Sequence, residues 1–298
     1  MSFKQQLQIW IQQIRGPFLS LSVVLVLIGT AMAHYYGVTD WRKFALLTVG
    51  VILAHISVNL FNELSDFHTE IDNETRRTPF SGGSGMMQAG FTTPSQVRAA
   101  AYGTLIVGGL IGLYFTITVG WKLLVILLIG GLAIRFYTNF FANWALGEAL
   151  AGLTLGYFVV LGSVMCYRIP LNPALFFIAI PSGLLTSQLL FLNEFPDVDA
   201  DRTGGRRHLV ILLGPKNAAI LGAAIYGLVY LVIILAPIIY SIPKLVWLGL
   251  LTLPMAVQSI GLIMHSRDKF DQLVRALGLN IGVVMLTNLL IAAGYFIA

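Results

Sequence analysis

The sequence predicts an all-α, multi-pass membrane protein, and three observations carry that expectation. Of 298 residues, 57% are hydrophobic and only 10% are charged, where a soluble domain carries about 25% charged residues. The mean hydropathy is +0.83. Nine apolar runs can be traced along the chain, each about as long as the roughly 20 residues that cross a bilayer core as a helix.

The runs fall at 17–34, 43–64, 95–118, 121–138, 146–167, 172–193, 216–240, 244–265 and 275–297. Backbone polar groups in lipid must be satisfied within their own segment, so each run is expected to be helical rather than an open strand. No small-residue cleavage site follows the first run and eight more runs succeed it, which marks it as a span rather than a secretory signal. No linker separates the runs into soluble units, so residues 1–298 are expected to form one domain around a central cavity. Cys166 stands alone, which rules out an intrachain disulfide and reads as a small apolar filler.

Lysine and arginine placement sets the expected orientation. With the N-terminus inside, thirteen basic residues lie on the cytoplasmic side and five on the other. This puts the C-terminus outside, in a cell membrane. The net charge of +5 follows from that bias and requires no nucleic-acid partner.

Two longer connections are expected on the cytoplasmic side, in the motif loops 62–94 and 193–215. Each opens on the same pattern, "NELSD" from Asn62 and "NEFPD" from Asn193, 131 residues apart. Each copy continues with carboxylates (Glu70 and Asp72, then Asp199 and Asp201) and ends in an arginine pair, Arg76–Arg77 or Arg206–Arg207. Nine of the thirteen acidic residues fall in 63–74 and 194–201, which makes chance solvation a poor account of them. A duplicated helical unit with its site where the halves meet is a known membrane architecture.

If the second span continues through the first copy, His55, Asn59, Asn62 and Asp66 lie on one face. Thr186, Asn193 and Asp197 would make the matching stripe on the sixth. Polar groups in a span face the bundle interior or a water-filled cavity. Carboxylate and amide oxygens suit Mg²⁺, which is held by one or two carboxylates together with substrate phosphates. Arginine forks suit phosphate oxygens. Acids with arginines, twice over, therefore point to a metal-bridged diphosphate, and a lipid-embedded cavity points to a polyprenyl tail on it. Histidine and cysteine are not grouped at ligand spacing, which speaks against zinc.

These motifs resemble the UbiA superfamily of intramembrane prenyltransferases. Its first motif, Asn-x-x-x-Asp with a further Asp, matches Asn62, Asp66 and Asp72; its second matches Asp197 and Asp201 within "NEFPDVDADRTGGRRHLVILLG". The position of Asp72, ten residues after Asn62, and the segment "FYTNFFANWALGEALAGLTLG" are similar to the menaquinone-type branch, whose acceptor is of the 1,4-dihydroxy-2-naphthoate kind. The Gly-Pro that follows Tyr-Thr in that branch is Asn-Phe-Phe here.

The resemblance implies a Mg²⁺-dependent transfer of a prenyl group from a polyprenyl diphosphate to a small aromatic acceptor, through an allylic cation. It implies Mg²⁺ on Asn62, Asp66, Asp72, Asn193, Asp197 and Asp201, and diphosphate on Arg76, Arg77, Arg206 and Arg207. Asp66, Asp197 and Tyr137 would be catalytic, with Arg135, Glu148 and His55 on the acceptor side. A helix-packing role for His55 and a structural pair between Glu148 and Arg135 are the competing readings. "SGGSG" at 81–85 is either a phosphate nest or a turn. His68 and His208, in the motif loops, are read as solvated by default with phosphate contact as the alternative, and the Gly108–Gly109 and Gly130–Gly131 pairs as close helix packing. Glu63 and Glu194 point away from their neighbouring Asn residues on a helix and are left out of the metal shell. A cyclase acting without acceptor and an ion-coupled transporter are the alternatives.

Overall fold

Long apolar runs that must satisfy their backbone polar groups within their own segment in lipid leave this chain little choice but helix. The computed structural model describes residues 2–69, 78–136, 145–203, 205–266 and 269–298, and among these there is no strand. The helices are α1 (Phe3–Gln13), α2 (Ser20–Tyr35), α3 (Trp41–Thr69), α4 (Pro94–Val119), α5 (Lys122–Phe136), α6 (Gly147–Cys166), α7 (Pro173–Asn193), α8 (Val198–Thr203), α9 (Leu209–Ile239), α10 (Leu253–Ser266) and α11 (Phe270–Ile297). Short 3₁₀ turns at Gly16–Leu19 and Lys244–Thr252 lead into α2 and α10.

Eight of the nine expected spans are met by helical segments long and apolar enough to cross a membrane. The ninth, 121–138, coincides with α5, which has 15 described residues. Its last two positions, 137 and 138, lie outside the described residues.

The termini sit at opposite ends of the bundle. Asn59 of α3 donates to the carbonyl of Ile14 at 2.9 Å, which ties the N-terminal segment to the motif end of α3. Near the other end, Trp41 at the start of α3 stacks on Phe296 at 6.1 Å. Helix α1 is capped by Ser2 and Gln5 and carries Phe3, Leu7 and Ile11 as an exposed apolar stripe, the pattern of a helix lying in a lipid interface.

Buried polar side chains cross-link the second half. Ser182 of α7 donates to Asn288 of α11 at 2.8 Å, Gln188 of α7 to the carbonyl of Gly222 on α9 at 3.0 Å, and Tyr226 of α9 to Asn280 of α11 at 2.6 Å. Such bonds average about 0.6 kcal/mol each between membrane helices, so together they fix register more than they add stability. Glycine sets the closest approach: a Cβ on Gly156, in the π-turn of α6, would lie 2.6 Å from the Ser182 carbonyl of α7.

The small-residue strings are corrected here. Gly108 does meet the Gly50 backbone, but Cβ atoms on Gly109, Gly130 or Gly131 would meet nothing within 4 Å. These three line a cavity instead of packing helices together.

Candidate active site

Helix α3 runs unbroken to Thr69 and carries the first motif on one face, as its four-three-four spacing requires. His55, Asn59 and Asp66 are buried, and His55, Asn59 and Asn62 line a cavity of about 550 Å³. Asn193 and Thr186 of α7 line the same cavity, whose walls are otherwise mainly apolar residues of α2 to α7. The His55 ring shares a 2.9 Å hydrogen bond with the Ser22 hydroxyl of α2, so it is a bonded wall residue.

The second motif departs from the expected stripe. Helix α7 ends at Asn193, because Pro196 has no N–H to continue the ladder and disfavours α geometry in Phe195 before it. A turn follows, in which the Asp197 amide bonds the Glu194 carbonyl at 3.2 Å. Asp197 is thus delivered from the turn before α8, and Asp201, on α8, is buried. The loop 193–215 is likewise mostly helical, since α9 begins at Leu209 and kinks at Gly214, where φ is +73°.

Arg206 joins the two motifs. Its guanidinium bonds the Asp66 carboxylate and lies 3.2 Å from the Asp201 carboxylate. The "SGGSG" loop also spans both copies, so it is no free turn. The Ser84 amide donates to Glu63 at 2.9 Å and its hydroxyl donates to the same carboxylate, while Ser81 hydrogen-bonds Asp197. Burial and the charge of Asp201 push the Asp197 carboxyl up to about 7, partly offset by Arg15 and Arg206.

The donor set at this mouth fits a hard cation: Asn62, Asp66, Asn193, Asp197 and Asp201 offer only amide and carboxylate oxygens. Buried Asn193 Oδ1 and Asp197 Oδ1 have no hydrogen-bond partner among the described residues, as oxygens reserved for a metal would.

A model of the UbiA prenyltransferase family matches residues 22–290 of the sequence. The chain belongs to that family. A 1,4-dihydroxy-2-naphthoate octaprenyltransferase of Bacillus subtilis (strain 168) is 30% identical over 90% of this chain and 86% of its own length. The enzyme of the same name from Escherichia coli (strain K12) is 28% identical over 98% and 96%. These relatives agree with the branch to which the Asn62–Asp72 spacing pointed. The fold matches a UbiA homolog from Aeropyrum pernix K1 in its apo form, with a TM-score of 0.71 at 16% identity over 94% of this chain and 98% of that one. A UbiA homolog from Archaeoglobus fulgidus bound to GPP and Mg²⁺ matches with a TM-score of 0.60 at 10% identity, over 95% and 99%.

Within this UbiA prenyltransferase, the other expected site residues divide between those outside the described residues and those with contacts of their own. Asp72, Arg76, Arg77 and Tyr137 lie outside the described residues. Arg207 is exposed. Arg135 stacks on Phe61 and Phe136 at 5.8 and 5.5 Å and does not line the cavity. Glu148, buried, accepts the Leu209 amide at 2.8 Å and so caps α9 rather than pairing with Arg135.

Three residues carry more than their sequence positions implied. Glu63 is buried and takes bonds from Gln13 at 2.9 Å, Arg15 at 3.4 Å and Ser84. Arg15, held in a left-handed conformation at φ 53°, lines the cavity. His208 is buried rather than solvated, with its ring nitrogens 3.4 Å from Glu194 and 3.3 Å from Asp201. Burial, with the Glu148 charge behind it, pushes the Glu194 carboxyl well above the usual range.

Proposed function

We propose that the protein transfers a prenyl group from a polyprenyl diphosphate to a small aromatic acceptor of the dihydroxynaphthoate class, with Mg²⁺ as cofactor. The observation that carries this reading is that Arg206 joins Asp66 and Asp201 of the two motifs, whose Asn62 and Asn193 line a largely apolar cavity. The names of the relatives support the acceptor class, and the Archaeoglobus fulgidus homolog was solved with a prenyl diphosphate and Mg²⁺.

In this reading Asn62, Asp66, Asp72, Asn193, Asp197 and Asp201 would hold Mg²⁺, whose chemistry when bound would be charge neutralisation of the diphosphate leaving group. Arg206 turns from its carboxylates toward the diphosphate oxygens, with Arg76, Arg77 and Arg207 as further donors. The allylic C–O bond breaks with its electron pair on the diphosphate. The acceptor ring then attacks the allylic carbon with a π-electron pair to form the new C–C bond, and the attacked ring carbon gives up its proton to the released diphosphate, which restores the aromatic ring. His55 is the acceptor-side candidate on the cavity wall; Arg135 and Glu148 act at a remove, and Tyr137 is assigned to the reacting end of the prenyl group. The cavity wall keeps water from the cation. The motif end faces the cytoplasm with the N-terminus, and the C-terminus lies across the membrane.

The test is mass spectrometry of products from the purified protein with Mg²⁺, polyprenyl diphosphates of several lengths and a panel of aromatic acceptors including 1,4-dihydroxy-2-naphthoate. A prenylated acceptor formed in step with diphosphate release is expected. Diphosphate release without conjugate would establish the cyclase instead, and no release with any pair would reopen the transporter.

A further inference from the structure

We propose that α1 is a lipid-surface anchor that braces the loop spanning both motifs, and that its occupant is the leaflet at the motif end of the bundle. The helix Phe3–Gln13 reads FKQQLQIWIQQ. At about 100° per residue, Phe3, Leu7, Trp10 and Ile11 fall on one side, with Lys4 at its edge and Gln8 and Gln12 away from it. Trp10, and Ile14 just beyond the helix, pack inward on the buried cluster of Leu60, Leu64, Met87, Val97 and Ala101. Phe3, Leu7 and Ile11 project outward instead and are 81%, 50% and 43% exposed.

Position and size select a membrane surface over a second copy of the chain. Only Ile14 and Arg15 separate α1 from the span Gly16–Tyr35, so α1 starts where that span leaves the bilayer. Three partly exposed side chains fall well short of the roughly 1,200 Å² that a stable protein interface buries. Phenylalanine and leucine on such a stripe can bury in the acyl boundary, and the helix carries Lys4 and no acidic residue to face the headgroups.

The brace lies on the inner side of the helix. Gln13, fully buried, donates to Glu63 at 2.9 Å and accepts from the Thr92 hydroxyl at 2.7 Å. Glu63 also takes the amide and hydroxyl of Ser84, and Met87 sits in the cluster under Trp10 and Ile14. The segment 84–92 is thus held at one end through Glu63 and at the other through Thr92, and Gln13 joins the two. Lipid on the outer stripe fixes α1, α1 fixes Gln13, and Gln13 fixes the loop whose Ser81 reaches Asp197. Order at the mouth thereby depends on the lipid surface.

The experiment reads depth and exchange. The full chain, with Cys166→Ala, is reconstituted in phosphatidylcholine–phosphatidylglycerol vesicles with a nitroxide on Leu7→Cys, Gln8→Cys, Ile11→Cys or Gln12→Cys. Collision with dissolved oxygen should exceed collision with a water-soluble nickel chelate at 7 and 11, and the order should reverse at 8 and 12. Four water-exposed positions would overturn the anchor, as would spin–spin broadening at 7 and 11 that unlabelled chain dilutes away, the sign of a second copy. Hydrogen exchange in the same vesicles reads the brace. Combined Phe3→Ser, Leu7→Ser and Ile11→Ser, and separately Gln13→Leu, which keeps the stripe, should each speed exchange of the Ser84 amide. The rise should be about tenfold or more, as loosening a hydrogen bond to a charged group implies, with α7 and α11 unchanged. Exchange at Ser84 that stays at the wild-type rate in both would overturn the brace. The nitroxide pattern stands apart from the folding of either variant. No measurement here uses a substrate, so failure of the prenyl-transfer assay would leave each outcome unchanged.

Discussion

The Arg206 guanidinium is bonded to the Asp66 carboxylate, 140 residues away in the chain. That bond closes the two motifs into one mouth. Arg206 has a second hold on Asp201, so a positive charge already sits between carboxylates of both copies. Arg206→Ala should lower kcat by about 10²- to 10³-fold, the loss typical when a preorganised donor to a developing anion is removed. Arg206→Lys should recover only part of it, because an ammonium cannot make the forked contact. Steady-state kinetics with a saturating acceptor decide this. Equal rates for wild type and Arg206→Ala would remove Arg206 from the mechanism.

Glu63 is expected to matter for folding rather than chemistry. Its buried carboxylate ties Gln13 and Arg15, at the end of the N-terminal segment, to Ser84 in the loop. Glu63→Ala leaves those donors unmatched, and breaking a buried charged pair costs about 3–5 kcal/mol. The melting temperature in detergent should fall steeply for Glu63→Ala and less for Glu63→Gln, which keeps an acceptor oxygen. Metal affinity in the surviving folded fraction should change little.

The spans and both motifs were legible because apolar runs and clustered acids are local signals. The helical stripe from His55 to Asp66 could be read for the same reason, since periodicity is local. What the sequence concealed depends on contacts between distant segments. Nothing near Glu63 announces Gln13, 50 residues upstream, and nothing near His208 announces Glu194 and Glu148. The broken second stripe was legible in principle, because Pro196 stands inside it; the repeat drew attention to likeness where the backbone differs. The glycine pairs show the limit from the other side: composition does not tell a glycine that admits a neighbouring helix from one that leaves room for a ligand.

That distinction can be measured. Gly156→Ala would drive a Cβ to 2.6 Å from the Ser182 carbonyl and 2.7 Å from Gly183 Cα, both backbone atoms that cannot rotate away. A loss of about 1–3 kcal/mol is expected from overpacking. Gly130→Ala meets nothing within 4 Å and should be neutral or stabilising, by up to about 1 kcal/mol from helix propensity. Gly130→Phe should instead narrow the cavity and raise KM for long prenyl diphosphates more than for short ones. Thermal unfolding of the alanine pair and a chain-length series on the phenylalanine variant test these in turn.

Asp197 links the metal to pH. Its carboxyl is pushed up to about 7 by burial and by Asp201, so between about 4 and 7 the folded protein holds a proton that the unfolded chain has released. Without Mg²⁺, stability should therefore fall as pH rises through that window and level off above it. A cation on Asp197 requires the deprotonated carboxylate, so binding releases the proton. Apparent Mg²⁺ affinity should weaken by up to about tenfold per pH unit below 7 and become flat above. The thermal shift produced by Mg²⁺ should accordingly be larger at pH 8 than at pH 6. In Asp197→Asn, which cannot titrate, both the slope and most of the shift should vanish. A Mg²⁺ response that ignores pH in the wild type would separate Asp197 from the metal.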